Sequence, residues 1–111
     1  MQRTKNRIEL NGKTISYYDI GEGQPILFGH SYLWDKDMWN PVIDILKKDY
    51  RCIVPDLPGH GESDSWANAN LQDLAELMHG LMSALQIKSY ALAGLSIGAM
   101  WGAYLVEKYP Q

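Results

Sequence analysis

Tyr90-Ala91-Leu92-Ala93-Gly94-Leu95-Ser96-Ile97-Gly98-Ala99-Met100-Trp101-Gly102 is the stretch on which the reading of this chain turns. Its first four residues are an apolar run of strand length. Gly94 to Gly98 then fit the pattern G-x-S-x-G, in which a sharp turn from strand to helix pushes one serine hydroxyl out of the backbone. A side chain at either flanking position would meet neighbouring backbone, so glycine suits both. Ala99 to Glu107 follow as a plausible buried helix. Five residues with three fixed occur by chance, so it is the strand before and the helix after that give the pentapeptide its meaning. Ser96 is therefore the candidate nucleophile. The blander alternative is a serine that caps the helix starting at Ile97.

A serine hydroxyl is a poor nucleophile until a base takes its proton. Fifteen residues follow Ser96, and they contain no Asp and no His. The expectation is that residues 1–111 are the N-terminal part of one larger domain, with the acid and the histidine supplied from beyond residue 111.

The chain has 111 residues, 46% hydrophobic and 21% charged, which bounds it to a single globular domain at most. A formal net charge of −3 and scattered lysines and arginines argue against a nucleic-acid surface. Arg3, Lys5, Arg7, Lys47 and Lys48 read as solvated surface. One cysteine, Cys52, lies in an apolar run and reads as a small buried hydrophobe, consistent with a reducing compartment. No apolar stretch approaches the roughly 20 residues of a membrane span. The polar N-terminus has no signal-peptide core behind it, so the expected location is cytoplasmic, with no membrane partner.

Asn11-Gly12 between Arg7–Leu10 and Thr14–Asp19 predicts an antiparallel hairpin. Pro25–Phe28 and Arg51–Pro55 read as short buried strands. Trp39–Lys48 reads as a helix with Val42, Ile43, Ile45 and Leu46 on its apolar side and Pro41 in its first turn. Asn70 reads as an N-cap, and Leu71, Leu74, Ala75, Met78, Leu81, Met82 and Leu85 follow at helical spacing. The resulting order, β-β-β-α-β-α-β-α, predicts an α/β fold: a mostly parallel sheet with helices on both faces and an N-terminal hairpin. The strand that carries the serine would be its apolar edge, which is a further reason to expect more chain.

Three segments together resemble the α/β-hydrolase family. The first is Phe28-Gly29-His30-Ser31-Tyr32 with Met38-Trp39, similar to the H-G loop after the third strand. The second is Asp56-Leu57-Pro58-Gly59-His60-Gly61-Glu62-Ser63-Asp64, similar to the D-x-x-G-x-G-x-S segment after the fourth. The third is the turn at Ser96. They are in register from about residue 7 onward, closest to the cofactor-free esterase, lactonase, C–C hydrolase and haloperoxidase-like branch, and the fold expected is the first half of that domain.

The resemblance implies a serine hydrolase acting on an ester, lactone or similar acyl bond through an acyl-enzyme on Ser96. It implies an oxyanion hole built from the backbone N–H groups of Ile97 and Tyr32. Ser31 departs from the usual glycine and bears on the geometry of that loop. His30 precedes the oxyanion loop and implies loop support rather than a general base, because the family's histidine follows the serine in chain order. His60 reads as structural, and His79 as solvated on the polar side of its helix. Asp56 reads as a carboxylate bracing loop amides, and Asp35 and Asp37 as caps near Trp39. The aromatics near the pocket loops are Tyr32, Trp34, Trp39 and Trp66; Trp34 could face the substrate, whereas Trp39 reads as core, and an apolar small-molecule acyl substrate follows from this set. No metal-ligand spacing, dinucleotide fingerprint or P-loop occurs, so no cofactor and no metal are expected.

Two rival readings use the same residues. One is a ligand-binding or sensing protein on this fold with little turnover, which loss of a downstream histidine would favour. The other is an inactive fragment that serves as an interaction module or pairs with a complementary fragment. The second leaves the turn at Ser96 without a purpose.

Overall fold

The expected N-terminal hairpin forms. Strand β1 (Asn6–Leu10) pairs antiparallel with β2 (Lys13–Ile20), and Leu10 faces Lys13 across a two-residue connection. Gly12 sits at φ +78, the left-handed backbone that such a turn asks of its glycine. The computed structural model describes residues 6–10, 12–31, 35–61, 63, 70–95 and 97–109.

Strands β3 (Gln24–Gly29), β4 (Tyr50–Pro55) and β5 (Ala91–Gly94) are mutually parallel, and β4 joins the hairpin by pairing antiparallel with β2. The sheet order is β1-β2-β4-β3-β5. Three helices alternate with these strands: α1 (Asn40–Leu46), α2 (Leu71–Ala84) and α3 (Ile97–Lys108). A 3-10 turn over Lys36–Trp39 leads into α1. The element order, the N-terminal hairpin and the helices on both faces are those expected from the sequence; the sheet was expected to be mostly parallel and is mixed, with two antiparallel and two parallel pairings, because β4 pairs antiparallel with the hairpin.

The connections explain why both faces are covered. From β3 the chain crosses through α1 to β4 on one side; from β4 it returns through α2, passes β3 and adds β5 on the other. Crossovers of one hand in opposite directions place their helices on opposite faces. Alternate strand residues accordingly feed two cores. Ile15, Tyr17, Leu27 and Ile53 pack with Met78, Leu81, Trp101 and Leu105 of α2 and α3. Tyr18, Phe28, Cys52 and Val54 pack with Ile43 of α1. Each fully buried aliphatic or aromatic side chain contributes roughly 1.5–3 kcal/mol.

The reversal of direction at β3 has a consequence for function. The C-terminal ends of β3 and β5 lie side by side, with Gly29 opposite Gly94, at the switch point where open α/β sheets bind ligands.

Some local expectations are corrected. The first helix was expected over 39–48, but a tight 3-10 turn begins it at Lys36 and α1 stops at Leu46. Ile45 was expected on the apolar side and is 75% exposed, because it follows Ile43 by two positions and so points away from the sheet. His79 was expected to be solvated; it is half-buried with its ring stacked on Tyr109, centroids 3.6 Å apart. Among the described residues no helix is long and apolar enough to cross a membrane.

Candidate active site

Glycines set the geometry where β5 turns into α3. A Cβ on Gly94 would come within 2.7 Å of the Ala99 nitrogen, and one on Gly29 within 2.8 Å of the Gly98 Cα. A Cβ on Gly98 would strike the backbone of Gly29. Real side chains do not tolerate such contacts, so these three positions admit glycine alone. The absence of three side chains lets the start of α3 press against the end of β3. Two hydrogen bonds fasten the turn: Leu95 N–H donates to the Gly29 carbonyl at 3.1 Å, and Gly98 N–H donates to the Leu95 carbonyl at 3.1 Å. Ile97 opens α3, so its N–H is among the first-turn donors that no intrahelical carbonyl satisfies. Ser96, between these residues, lies outside the described residues, as do Tyr32 and Trp34.

His30 follows β3 and is fully buried. Its Nδ1 lies 2.8 Å from the Ser31 carbonyl, and its Nε2 accepts from Leu57 N–H at 2.9 Å. An acceptor Nε2 makes Nδ1–H the donor, so the ring is neutral and both nitrogens are engaged. Burial holds its pKa below the ordinary 6.5, the hydrogen bond to Ser31 opposes this, and the neighbouring His60 ring adds to the lowering. The two imidazole centroids are 5.1 Å apart. His60 is half-buried, with Nδ1 3.0 Å from the Pro58 carbonyl.

Ser31 keeps ordinary backbone, since Gln86 is the one described non-glycine residue at positive φ. Its N–H and hydroxyl both point to the Met38 sulfur, at 3.2 and 3.7 Å. Serine in place of glycine therefore bonds back to its own loop. Trp39 packs in the α1-side core, its ring 5.0 Å from Phe28.

Each fixed residue of Asp56–Ser63 has a visible use. Asp56 is fully buried and binds Lys36 twice: Oδ1 accepts from the Lys36 N–H and Oδ2 pairs with its Nζ, both at 2.8 Å. Gly59 and Gly61 have φ of +77 and +53, and a Cβ on Gly61 would strike the Asp56 carboxylate. Ser63 Oγ donates to the Asp56 carbonyl at 2.8 Å and accepts from Ser16 N–H of β2 at 2.9 Å. Asp35 caps the 3-10 turn by accepting from Asp37 N–H. Asp37 was expected to cap as well; its carboxylate instead accepts from Tyr18 Oη and from Asn40 Nδ2. Lys36 escaped the sequence reading, because a lysine between two aspartates looks solvated and nothing in its spacing signals burial.

Among the described residues no group of three or more His, Cys, Asp or Glu could hold a metal ion. What the arrangement presents is a strand-to-helix turn at the end of β5, beside a loop after β3 tied back to the end of β4.

The model of the alpha/beta hydrolase fold family matches residues 24–111. The chain belongs to the α/β-hydrolase family. It is 38% identical over 104 residues to 3-oxoadipate enol-lactonase 1 of Acinetobacter baylyi, covering 88% of this chain and 39% of that protein. It is 32% identical over 90 residues to a pimeloyl-[acyl-carrier protein] methyl ester esterase of Legionella pneumophila, covering 81% of this chain and 35% of the esterase. Among solved structures, an epoxide hydrolase from Vigna radiata superposes with a TM-score of 0.91 at 26% identity, over 96% of this α/β-hydrolase chain and 36% of the other. The chain thus spans well under half the length of these relatives and corresponds to their N-terminal part.

Proposed function

We propose that this chain carries the nucleophile and the oxyanion donors of a serine hydrolase that cleaves an ester, lactone or similar acyl bond. The observation that carries the reading is the glycine-packed turn at Gly94–Gly98, abutting the end of β3 at the switch point of the sheet. The names of the lactonase and esterase relatives support acyl-bond chemistry.

In this reading Ser96 Oγ attacks the acyl carbonyl while a base takes its proton. The carbonyl oxygen becomes an oxyanion, which accepts from the N–H groups of Ile97 and Tyr32. The tetrahedral intermediate collapses, the alcohol leaves with a proton from the base, and the acyl-enzyme is then hydrolysed by water. His30 is not that base, because both its nitrogens already bond backbone groups and burial lowers its affinity for a proton. The base and its acid come from residues after 111, and residues 1–111 form the first part of one catalytic domain. Trp34 is assigned to an apolar substrate pocket. A cytoplasmic location completes the reading, in keeping with Cys52 as a free, buried thiol.

The test is Ser96→Ala in the whole protein that carries these residues, assayed against p-nitrophenyl esters and simple lactones. The expected result is a loss of roughly 10⁴-fold or more in kcat, as serine hydrolases lose when the nucleophile is removed. An unchanged rate would sink the nucleophile assignment, whereas no hydrolysis by the unmutated protein would leave ligand binding without turnover as the reading to pursue.

A further inference from the structure

We propose that Lys36 is a positioning residue for the reaction, acting through Asp56 to hold the loop between His30 and Lys36 in its working shape. This rests on the serine-hydrolase reading above, and names a residue that reading does not use. Lys36 is 2% exposed and Asp56 is fully buried, so the pair between them is out of water. A buried ion pair is a poor device for stability, since two apolar residues of similar size often serve as well or better. It is a good device for fixing geometry, because each charge needs its partner at one place.

The place is informative. The loop after β3 is fastened at both ends to two consecutive residues beyond β4. At its start, His30 Nε2 accepts from Leu57 N–H at 2.9 Å. At its end, Lys36 gives both its N–H and its ammonium to Asp56 at 2.8 Å. Asp56 is itself held from three directions. Its N–H donates to the Ser16 carbonyl of β2 at 2.9 Å, its carbonyl accepts from Ser63 Oγ, and Gly61 lies directly against its carboxylate. Lys36 therefore ties the loop to the sheet through an anchor that cannot drift. Oxyanion donors act in the transition state, and their placement is worth far more there than in the ground state. A loosened loop should accordingly lower kcat and spare KM.

The experiment compares the whole protein with K36M, the double variant K36M/D56N, and S96A as a control. K36M strands a buried carboxylate; the double variant removes that charge and keeps an acceptor for the amide at position 36. Thermal melts report folding, and ester hydrolysis gives kcat and KM. The expected result is a fall of about 10–100-fold in kcat for K36M, of the size that small misplacements cause, with KM within about threefold. The double variant should regain thermal stability without regaining kcat. The proposal is overturned if folded K36M keeps kcat within twofold while S96A is inactive, or if the double variant recovers kcat together with stability, which marks a purely structural pair. If S96A itself retains activity, the nucleophile reading falls and the positioning role falls with it.

Discussion

A histidine with both ring nitrogens bonded to backbone can neither shuttle a proton nor bind a metal without breaking a contact. His30 is in that state, and its lowered pKa has a thermodynamic consequence. Below pH 6.5 the unfolded chain takes up a proton that the folded chain refuses. Stability present at neutral pH is therefore lost as pH falls from 6.5 toward the lowered folded value, by at most ~1.4 kcal/mol per pH unit. Urea melts between pH 7.5 and 5 should show this slope, and H30Q should flatten it. Two glycines make a second residue-scale test with opposite signs. Gly98→Ala forces a methyl into the Gly29 backbone and is expected to destabilise by about 1–3 kcal/mol. Gly80→Ala, in α2 with nothing within 4 Å of the added methyl, is expected to stabilise by about 0.5–1 kcal/mol. Differential scanning calorimetry separates the two. Gly94 and Gly98 were legible in the sequence because a short motif encodes a local collision. The burial of Lys36 was not, because its partner Asp56 is 20 residues away and only the crossover brings them together.

At the scale of the element, Asn70 and Asp73 form a reciprocal capping box on α2, with bonds of 2.8 and 3.0 Å. Its Asn half was legible as a cap before an apolar run at helical spacing. Asn70→Ala is expected to lose about 1 kcal/mol, read as a lowered Tm. The same periodicity located α2 to within a residue, since its apolar side is buried from Leu74 to Met82, with Leu71 and Leu85 partly buried at its ends. It misjudged the first helix. There a 3-10 turn is held from outside by Tyr18 Oη on Asp37 and by Asp56 on Lys36, contacts with no periodic trace. Helix α3 is apolar on nearly every side, with Trp101 and Leu105 buried and Met100, Tyr104 and Val106 exposed. Periodicity could mark it as a helix of the interior but not say which side meets the sheet.

At the scale of the whole molecule, β5 lies at one edge of the sheet among the described residues, paired with β3 on its other side. Beside it the exposed apolar residues Leu95, Met100 and Val106 are each more than half accessible. Open edges flanked by apolar surface promote association between chains. A polypeptide of residues 1–111 by itself is expected to self-associate, and M100K/V106E should shift it toward monomer in sedimentation velocity. The sequence by itself determined the order of elements, the N-terminal hairpin, the two-sided sheet and the close packing of Gly94 and Gly98 where β5 gives way to α3, because each is written in spacing and local sterics. Only the tertiary structure decided that β5 returns to the far side of β3, that His30 and Lys36 both close onto Asp56-Leu57, and that His79 stacks on Tyr109. Those arrangements depend on residues far apart in the chain meeting out of water, and no short window of sequence records which partners will meet.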